Sequence, residues 1–151
     1  ANMHAVTSIG DNGCAYMYAV CTSLTAAAAM SAVTTIGDSG CYCMYASDTS
    51  LAAAAAMPAL TTIGDNGCWG MYIGCTSLTT AAAMPAVTNI GNDGCADMYS
   101  GCTFAMSDDG VTLNFAFPTP PITTTGEDNT TYATAYDVAE WMGNTNGFVT
   151  P

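Results

Sequence analysis

Apolar residues recur along the first two thirds of the chain at intervals of 27 residues. The period runs through four copies without an insertion, and its columns are Val6, Val33, Leu60 and Val87; Ile9, Ile36, Ile63 and Ile90; Cys14, Cys41, Cys68 and Cys95; Met17, Met44, Met71 and Met98; and Tyr18, Tyr45, Tyr72 and Tyr99. A fixed period of this length predicts a solenoid whose repeats bury their apolar sides against each other. We therefore predict a repeat domain over residues 1–102, with the methionine and tyrosine columns as core ladders and their solvent-side neighbours.

The third copy predicts a turn followed by a short helix. Gly64–Gly67 has the composition of a turn. Cys68, Met71 and Cys75 then follow at i, i+3 and i+7, which is typical of one face of a helix. Gly74 would end that helix. The sequence thus places a short helix on one wall of every repeat.

The rest of the repeat predicts a short strand and a second turn. Leu78–Ala81 is expected to pair in parallel with its counterparts in the neighbouring repeats. Met84–Val87 turns the chain, after which Val87 and Ile90 insert on the opposite wall. The predicted fold class is α/β, a leucine-rich-repeat solenoid of four 27-residue coils.

Two segments resemble a known family. The runs Met57–Gly64 and Cys75–Thr80 are similar to the BspA-like leucine-rich repeats of bacterial and protist surface proteins. The resemblance covers about two thirds of the chain and departs from the family in its alanine-rich strands and its lack of basic residues. It implies a secreted or surface-attached protein with a role in adhesion.

The tail, residues 103–151, breaks the period and predicts an α+β cap on the last repeat. Alternating apolar residues predict a strand, and these are Val111, Leu113, Phe115 and Phe117. A proline-containing connection and a polar loop follow, and Thr130–Met142 has the apolar spacing of a short helix.

The charge of the chain excludes several functions. It has 12 acidic residues, no lysine or arginine, and a formal net charge of -12. Nucleic acids and anionic membranes would repel it, and phosphate-binding lysines and arginine fingers are absent. The single histidine, His4, rules out histidine triads and histidine-based metal sites. We expect a protein that is not an enzyme and carries no cofactor or metal. The longest uniform apolar run, Ala52–Ala56, is too short to span a membrane.

The eight cysteines are predicted to be free thiols. On packed helices, equivalent cysteines would lie about 8–10 Å apart, whereas a disulfide needs Cα atoms about 4.4–6.8 Å apart. Cys43 aligns with variable residues and should face outward, where it could pair with another molecule or remain a partly shielded, unreactive thiol. Asp48 takes the place of a cysteine, and its carboxylate could accept hydrogen bonds from loop amides.

Two further patterns concern ligands on the surface. Asp11, Asp38 and Asp65 form a column that continues with Asn92. Helix capping explains this column better than calcium, because each repeat offers one carboxylate without a D-x-D spacing. Asn129 begins an Asn-Thr-Thr glycosylation sequon.

Three functions compete. The first is end-to-end self-association of a structural or filament subunit, because no polar lid precedes the first repeat; the alternative, a chain cut from a longer repeat array, would cover the same edge. The residues predicted to make that contact are Val6, Ile9, Met17 and Leu24 in the first repeat and Phe115, Phe117, Trp141 and Phe148 in the cap. The second is an adhesion module that binds a cell-surface protein through its strands, with Thr25, Ala27, Ala52, Ala54, Thr79 and Ala81 as candidates. The third is an ice- or mineral-binding surface built on the threonine pairs. All three place the protein outside the cell or on its surface.

Overall fold

The computed structural model describes residues 2–127 and 129–149. Four two-residue strands form a parallel sheet in chain order: β1 (Ser8–Ile9), β2 (Thr35–Ile36), β3 (Thr62–Ile63) and β4 (Asn89–Ile90). Each residue pairs with the residue 27 positions later, as in Ile36 with Ile63. A parallel sheet with neighbouring strands in consecutive order is therefore present, in the register of the sequence period.

The sheet is not in the segments predicted as strands. It lies on the opposite wall, where the sequence predicts that Val87 and Ile90 insert. Its isoleucines point inward and are buried, whereas the preceding residues Ser8, Thr35 and Asn89 are exposed. The segment predicted as strand, Leu78–Ala81, forms no regular strand; its counterparts are joined by the isolated bridge between Ala26 and Ala53. The prediction was therefore wrong about a strand but right that these segments contact their counterparts, since the Thr79 amide donates to the Ala52 carbonyl at 3.3 Å. The alanines of this wall have little side-chain bulk with which to favour a regular strand.

The wall predicted to be helical consists of successive turns. Its backbone amides form two kinds of hydrogen bond. The Cys75 amide donates to the carbonyl of Tyr72, three residues earlier, whereas the Cys68 amide donates to the carbonyl of Gly94 in the next repeat. Every fourth residue of this wall has a positive φ, for example Asn66 at 54° and Gly70 at 55°. In a helix all of these amides would donate to carbonyls of the same helix. In the turns, alternate amides remain available to donate to the neighbouring repeat. The predicted inward face is nevertheless correct, since Cys68, Met71 and Cys75 are fully buried.

The tail adds a hairpin and one helix. β5 (Ile122–Thr123) pairs antiparallel with β6 (Thr131–Tyr132), and α1 (Ala135–Trp141) follows. The predicted helix over 130–142 therefore begins five residues late, because β6 takes its first residues and Thr134 forms a capping box with Asp137. The strand predicted over 111–117 is a series of bends without a partner strand.

The core runs through all four repeats and into the tail. Its largest fully buried side chains are Tyr45, Tyr72, Tyr99, Met30, Ile36, Met44, Leu51, Met57, Leu60, Ile63, Met71 and Leu78. The tyrosine rings stack face to face, with centroids 5.4 Å apart between Tyr45 and Tyr72 and 5.8 Å apart between Tyr72 and Tyr99. These tyrosines are thus central, not the solvent-side neighbours that the sequence suggested.

Candidate functional site

The first repeat has an apolar groove on the side facing away from the second repeat. The groove has a volume of about 390 Å³ and is bordered by Met3, Val6, Ile9, Cys14 and Met17. Met17 is 48% exposed, whereas its equivalent Met44 in the next repeat is 0% exposed. Three residues predicted for self-association, Val6, Ile9 and Met17, therefore meet at one edge. Leu24 is partly buried against the core.

The same edge carries unpaired backbone acceptors. Along the turn wall of each of the first three repeats, five amides donate to carbonyls of the next repeat, as Tyr18 does to Met44 over 2.9 Å. The first repeat has five carbonyls in the accepting positions, and among residues 2–127 and 129–149 no backbone amide donates to them: Asp11, Gly13, Ala15, Met17 and Ala19. An apolar groove beside a row of free carbonyls favours another polypeptide edge as its ligand.

The tail closes the opposite side of the stack. Phe115 lies with its ring centroid 6.2 Å from Tyr99, and Trp141 stacks on Tyr132 at 4.5 Å. All four cap aromatics predicted to contact a second copy, Phe115, Phe117, Trp141 and Phe148, are partly buried against the core of their own chain. Their principal contacts are therefore intramolecular.

The six candidate binding residues divide between two environments. Thr25, Ala52 and Thr79 are exposed in one column. Ala27, Ala54 and Ala81 pack against the core. The alanine-rich wall lies close to the tyrosine ladder, because the buried hydroxyls of Tyr45, Tyr72 and Tyr99 accept hydrogen bonds from the amides of Ala28, Ala55 and Ala82 at 2.9–3.1 Å. Half of the predicted binding residues are thus partly buried against the core.

The threonine columns also have a structural role. The Thr34 hydroxyl donates to the Thr7 carbonyl at 3.0 Å, and the Thr61 hydroxyl donates to the Thr34 carbonyl at 3.1 Å. Hydroxyls that donate to the neighbouring repeat can still accept hydrogen bonds but have no proton left to donate to an ordered water or mineral lattice. Thr35, exposed on the sheet, is better placed for that role.

The structure corrects the prediction for Cys43. Its side chain is 6% exposed, because it lies between Tyr16 of the preceding repeat and Gly70 of the following repeat, which has no side chain to displace it. Cys21 is the cysteine that is exposed among the described residues.

All eight cysteines are free thiols, as predicted. The reason given for this prediction was wrong, because it assumed packed helices about 8–10 Å apart, whereas this wall consists of turns that bond directly to the next repeat.

Asp48 is a buried carboxylate without a hydrogen-bond partner among the described residues. Burial raises its pKa above the ordinary value of 3.8, and the Cys21 amide offsets this shift only in part. The equivalent thiols do have partners, since Cys75 donates to the Tyr45 carbonyl and Cys102 to the Tyr72 carbonyl, each at 3.1 Å. The prediction that loop amides bond to the Asp48 carboxylate therefore holds only for a weak interaction with the Cys21 amide, and the equivalent thiols show that this position suits a donor.

The aspartate column bonds neighbouring repeats instead of capping helices. Asp11 Oδ1 accepts from the Asp38 amide, Asp38 Oδ1 from the Asp65 amide, and Asp65 Oδ1 from the Asn92 amide, at 2.8–3.0 Å. Helix capping was the wrong interpretation, since the wall contains turns. Among the described residues, no group of three or more His, Cys, Asp or Glu side chains is placed to hold a metal ion.

The tail presents an exposed asparagine and a second groove on its surface. Asn129 is exposed, so its side chain is accessible on the surface. A second groove, of about 460 Å³, lies between the bends of 111–120 and the start of α1. It includes Leu113, Phe115 and Phe117, whose alternation in the sequence reflects this lining and not a strand.

The comparisons with known proteins provide no relative. No family model, curated protein or solved structure matches the chain. No helix in the described part of the chain is long and apolar enough to cross a membrane.

Proposed function

We propose that this chain is a non-enzymatic repeat protein of the cell surface or extracellular space, built as a leucine-rich-repeat solenoid of the BspA-like type, and that it associates end to end with copies of itself. The observation that carries this proposal is the edge of the first repeat. There Met17 is 48% exposed beside five carbonyls without backbone donors among the described residues.

The chemistry of this edge favours backbone pairing over ionic recognition. With no lysine or arginine in the chain, copies of it have no such basic side chain to offer to each other's carboxylates. Apolar contact and backbone hydrogen bonds must therefore supply the attraction. The net charge of -12 opposes association, and salt screens charges beyond about 10 Å at 0.1 M. Association should consequently strengthen with ionic strength.

Sedimentation velocity across a concentration and salt series tests the proposal. We expect the wild type to form larger species that increase with salt. Met17→Asp should weaken association at least about tenfold, because it places a charge in the apolar groove. Val111→Asp is the matched control, since Val111 is 71% exposed but belongs to the tail. A chain that stays monomeric at high concentration and high salt, even when its tail is released from the fourth repeat, would rule out self-association and favour the adhesion module.

A further inference from the structure

The tail occupies hydrogen-bonding positions that another repeat would fill. In the earlier repeats, the amides equivalent to Asp97 and Tyr99 bond to the next repeat, as Tyr72 does to Met98 over 2.9 Å. In the fourth repeat, Asp97 donates to the Trp141 carbonyl and Tyr99 to the Met142 carbonyl, both at 2.9 Å. These acceptors lie at the end of α1, where helical carbonyls lack partners within the helix.

The sheet side of the fourth repeat is occupied in the same way. Between the third and fourth repeats, the Gly91 amide donates to the Ile63 carbonyl at 2.8 Å. At the end of the sheet, the equivalent carbonyl of Ile90 accepts from the Thr125 amide at 2.6 Å. The tail thus supplies donors and acceptors to both walls.

One position shows that the tail is an incomplete substitute. The Asp65 side chain accepts the Asn92 amide at 2.8 Å, but the next side chain in the column, Asn92, has a buried Oδ1 without a partner among the described residues. Gly126 lies against it: a Cβ on Gly126 would be 2.8 Å from that oxygen. A buried acceptor has therefore lost its water without gaining a donor, which disfavours the docked tail.

The first repeat of a second copy has the complementary groups. By the register of the existing repeats, its Ala15 and Met17 carbonyls would accept the amides of Asp97 and Tyr99. Its Asp11 amide would donate to Asn92 Oδ1, as the Asn92 amide does to Asp65. A head-to-head arrangement would instead bring one row of carbonyls against another. The polarity of the edges favours head-to-tail stacking.

We propose that the tail is a displaceable terminator, which competes with the first repeat of a second copy for the end of the fourth repeat. The inference rests on the proposed self-association and adds its regulation. A chain whose tail is docked on its fourth repeat cannot accept a second copy there. A chain whose tail is released can bind the first repeat of a second copy and grow head to tail. The apparent affinity between copies is reduced by the fraction of chains in which the tail is docked.

Gly143 offers a way to release the tail without removing any residue of the chain. Its φ is +80°, and a Cβ there would lie 2.9 Å from the Ser100 Cβ. Gly143→Val should therefore push the tail off the fourth repeat. Gly110→Val is the matched control, because Gly110 has a similar φ of +73° but its nearest contact would be 3.6 Å away. Val138→Asp, at a fully buried position of α1, is a second releasing variant.

Hydrogen exchange of the Asp97 and Tyr99 amides at low concentration reports whether the tail is docked, and exchange at Ile63 reports whether the repeats stay folded. Sedimentation then measures association. We expect Gly143→Val and Val138→Asp to expose both amides in dilute monomers and to associate at least about tenfold more tightly than the wild type or Gly110→Val. Adding Met17→Asp to Gly143→Val should reverse the gain.

The other outcomes separate a failure of the terminator from a failure of self-association. If the releasing variants expose the amides but associate no more tightly than a wild type that does associate, the terminator is wrong while self-association stands. If neither the wild type nor a released variant associates, self-association itself fails. Amides that remain protected in both variants would show that the tail is not displaceable.

Discussion

The Oδ1 oxygen of Asp38 accepts a 2.9 Å hydrogen bond from the backbone amide of Asp65, the residue 27 positions later. Gly64 permits this approach, because a Cβ there would lie 2.5 Å from the same oxygen. Asp38→Ala should lower the free energy of unfolding by about 0.5–1.5 kcal/mol, since the Asp65 amide loses its acceptor. Asp38→Asn, which keeps an acceptor, should cost less. Urea unfolding of the two variants measures the difference; equal losses would contradict the role of the hydrogen bond.

Asp48 should make stability depend on pH. Its folded pKa is raised by burial above 3.8, so the native state binds the proton more tightly than the unfolded state. Stability is therefore highest below pH 3.8 with respect to this group, and falls as the pH rises from there through the folded pKa.

Replacing this carboxylate by the thiol of the equivalent repeats should remove that penalty. Asp48→Cys, measured in reducing buffer, should raise the free energy of unfolding at pH 7 by about 1–3 kcal/mol, because a buried carboxylate with only a weak interaction to the Cys21 amide gives way to a donor for the Tyr18 carbonyl. The gain should shrink on acidification towards pH 3.8. Asp38→Asn removes an exposed carboxylate and is the control. A gain at Asp48 that does not change with pH would contradict the assignment to ionisation.

Val20 adopts a conformation that suits glycine. Its φ is 61° and its side chain is 67% exposed, while the equivalent positions in the third and fourth repeats are Gly74 and Gly101. Val20→Gly should stabilise the fold by about 1 kcal/mol, because a β-branched residue is strained at positive φ. Val111→Gly, at an exposed valine without positive φ, should give no gain. Thermal unfolding checks both, and a loss of stability in Val20→Gly would contradict the strain.

The Tyr72 hydroxyl accepts the Ala55 amide at 3.1 Å inside the core. Tyr72→Phe should destabilise the chain by about 1–3 kcal/mol, because it leaves a buried amide unpaired while keeping the stacked ring. Tyr16→Phe is the control, since Tyr16 is mostly exposed. Chemical denaturation with both variants at matched pH decides the outcome, and equal midpoints would show that the hydroxyl contributes little.

Side-chain identity was enough to predict the burial of most apolar columns in the repeats. Ile36, Met44 and Leu60 recur with the period and all lie in the core. Repetition predicts this because each repeat sees the same neighbours. The same reasoning failed for Cys43 and Tyr72, whose directions depend on the backbone of the turn wall.

The sequence by itself determined the 27-residue register, the apolar columns and a net charge of -12 without lysine or arginine. Only the tertiary structure decided between helix and turns, because the spacing of Cys68, Met71 and Cys75 fits both. The choice depends on where the backbone amides bond, and half of them bond to a repeat that is distant in sequence. The tertiary structure likewise decided that the tail bonds to the fourth repeat through the carbonyls of Trp141 and Met142. Every residue has a backbone carbonyl, so the sequence does not show which ones accept hydrogen bonds from another segment.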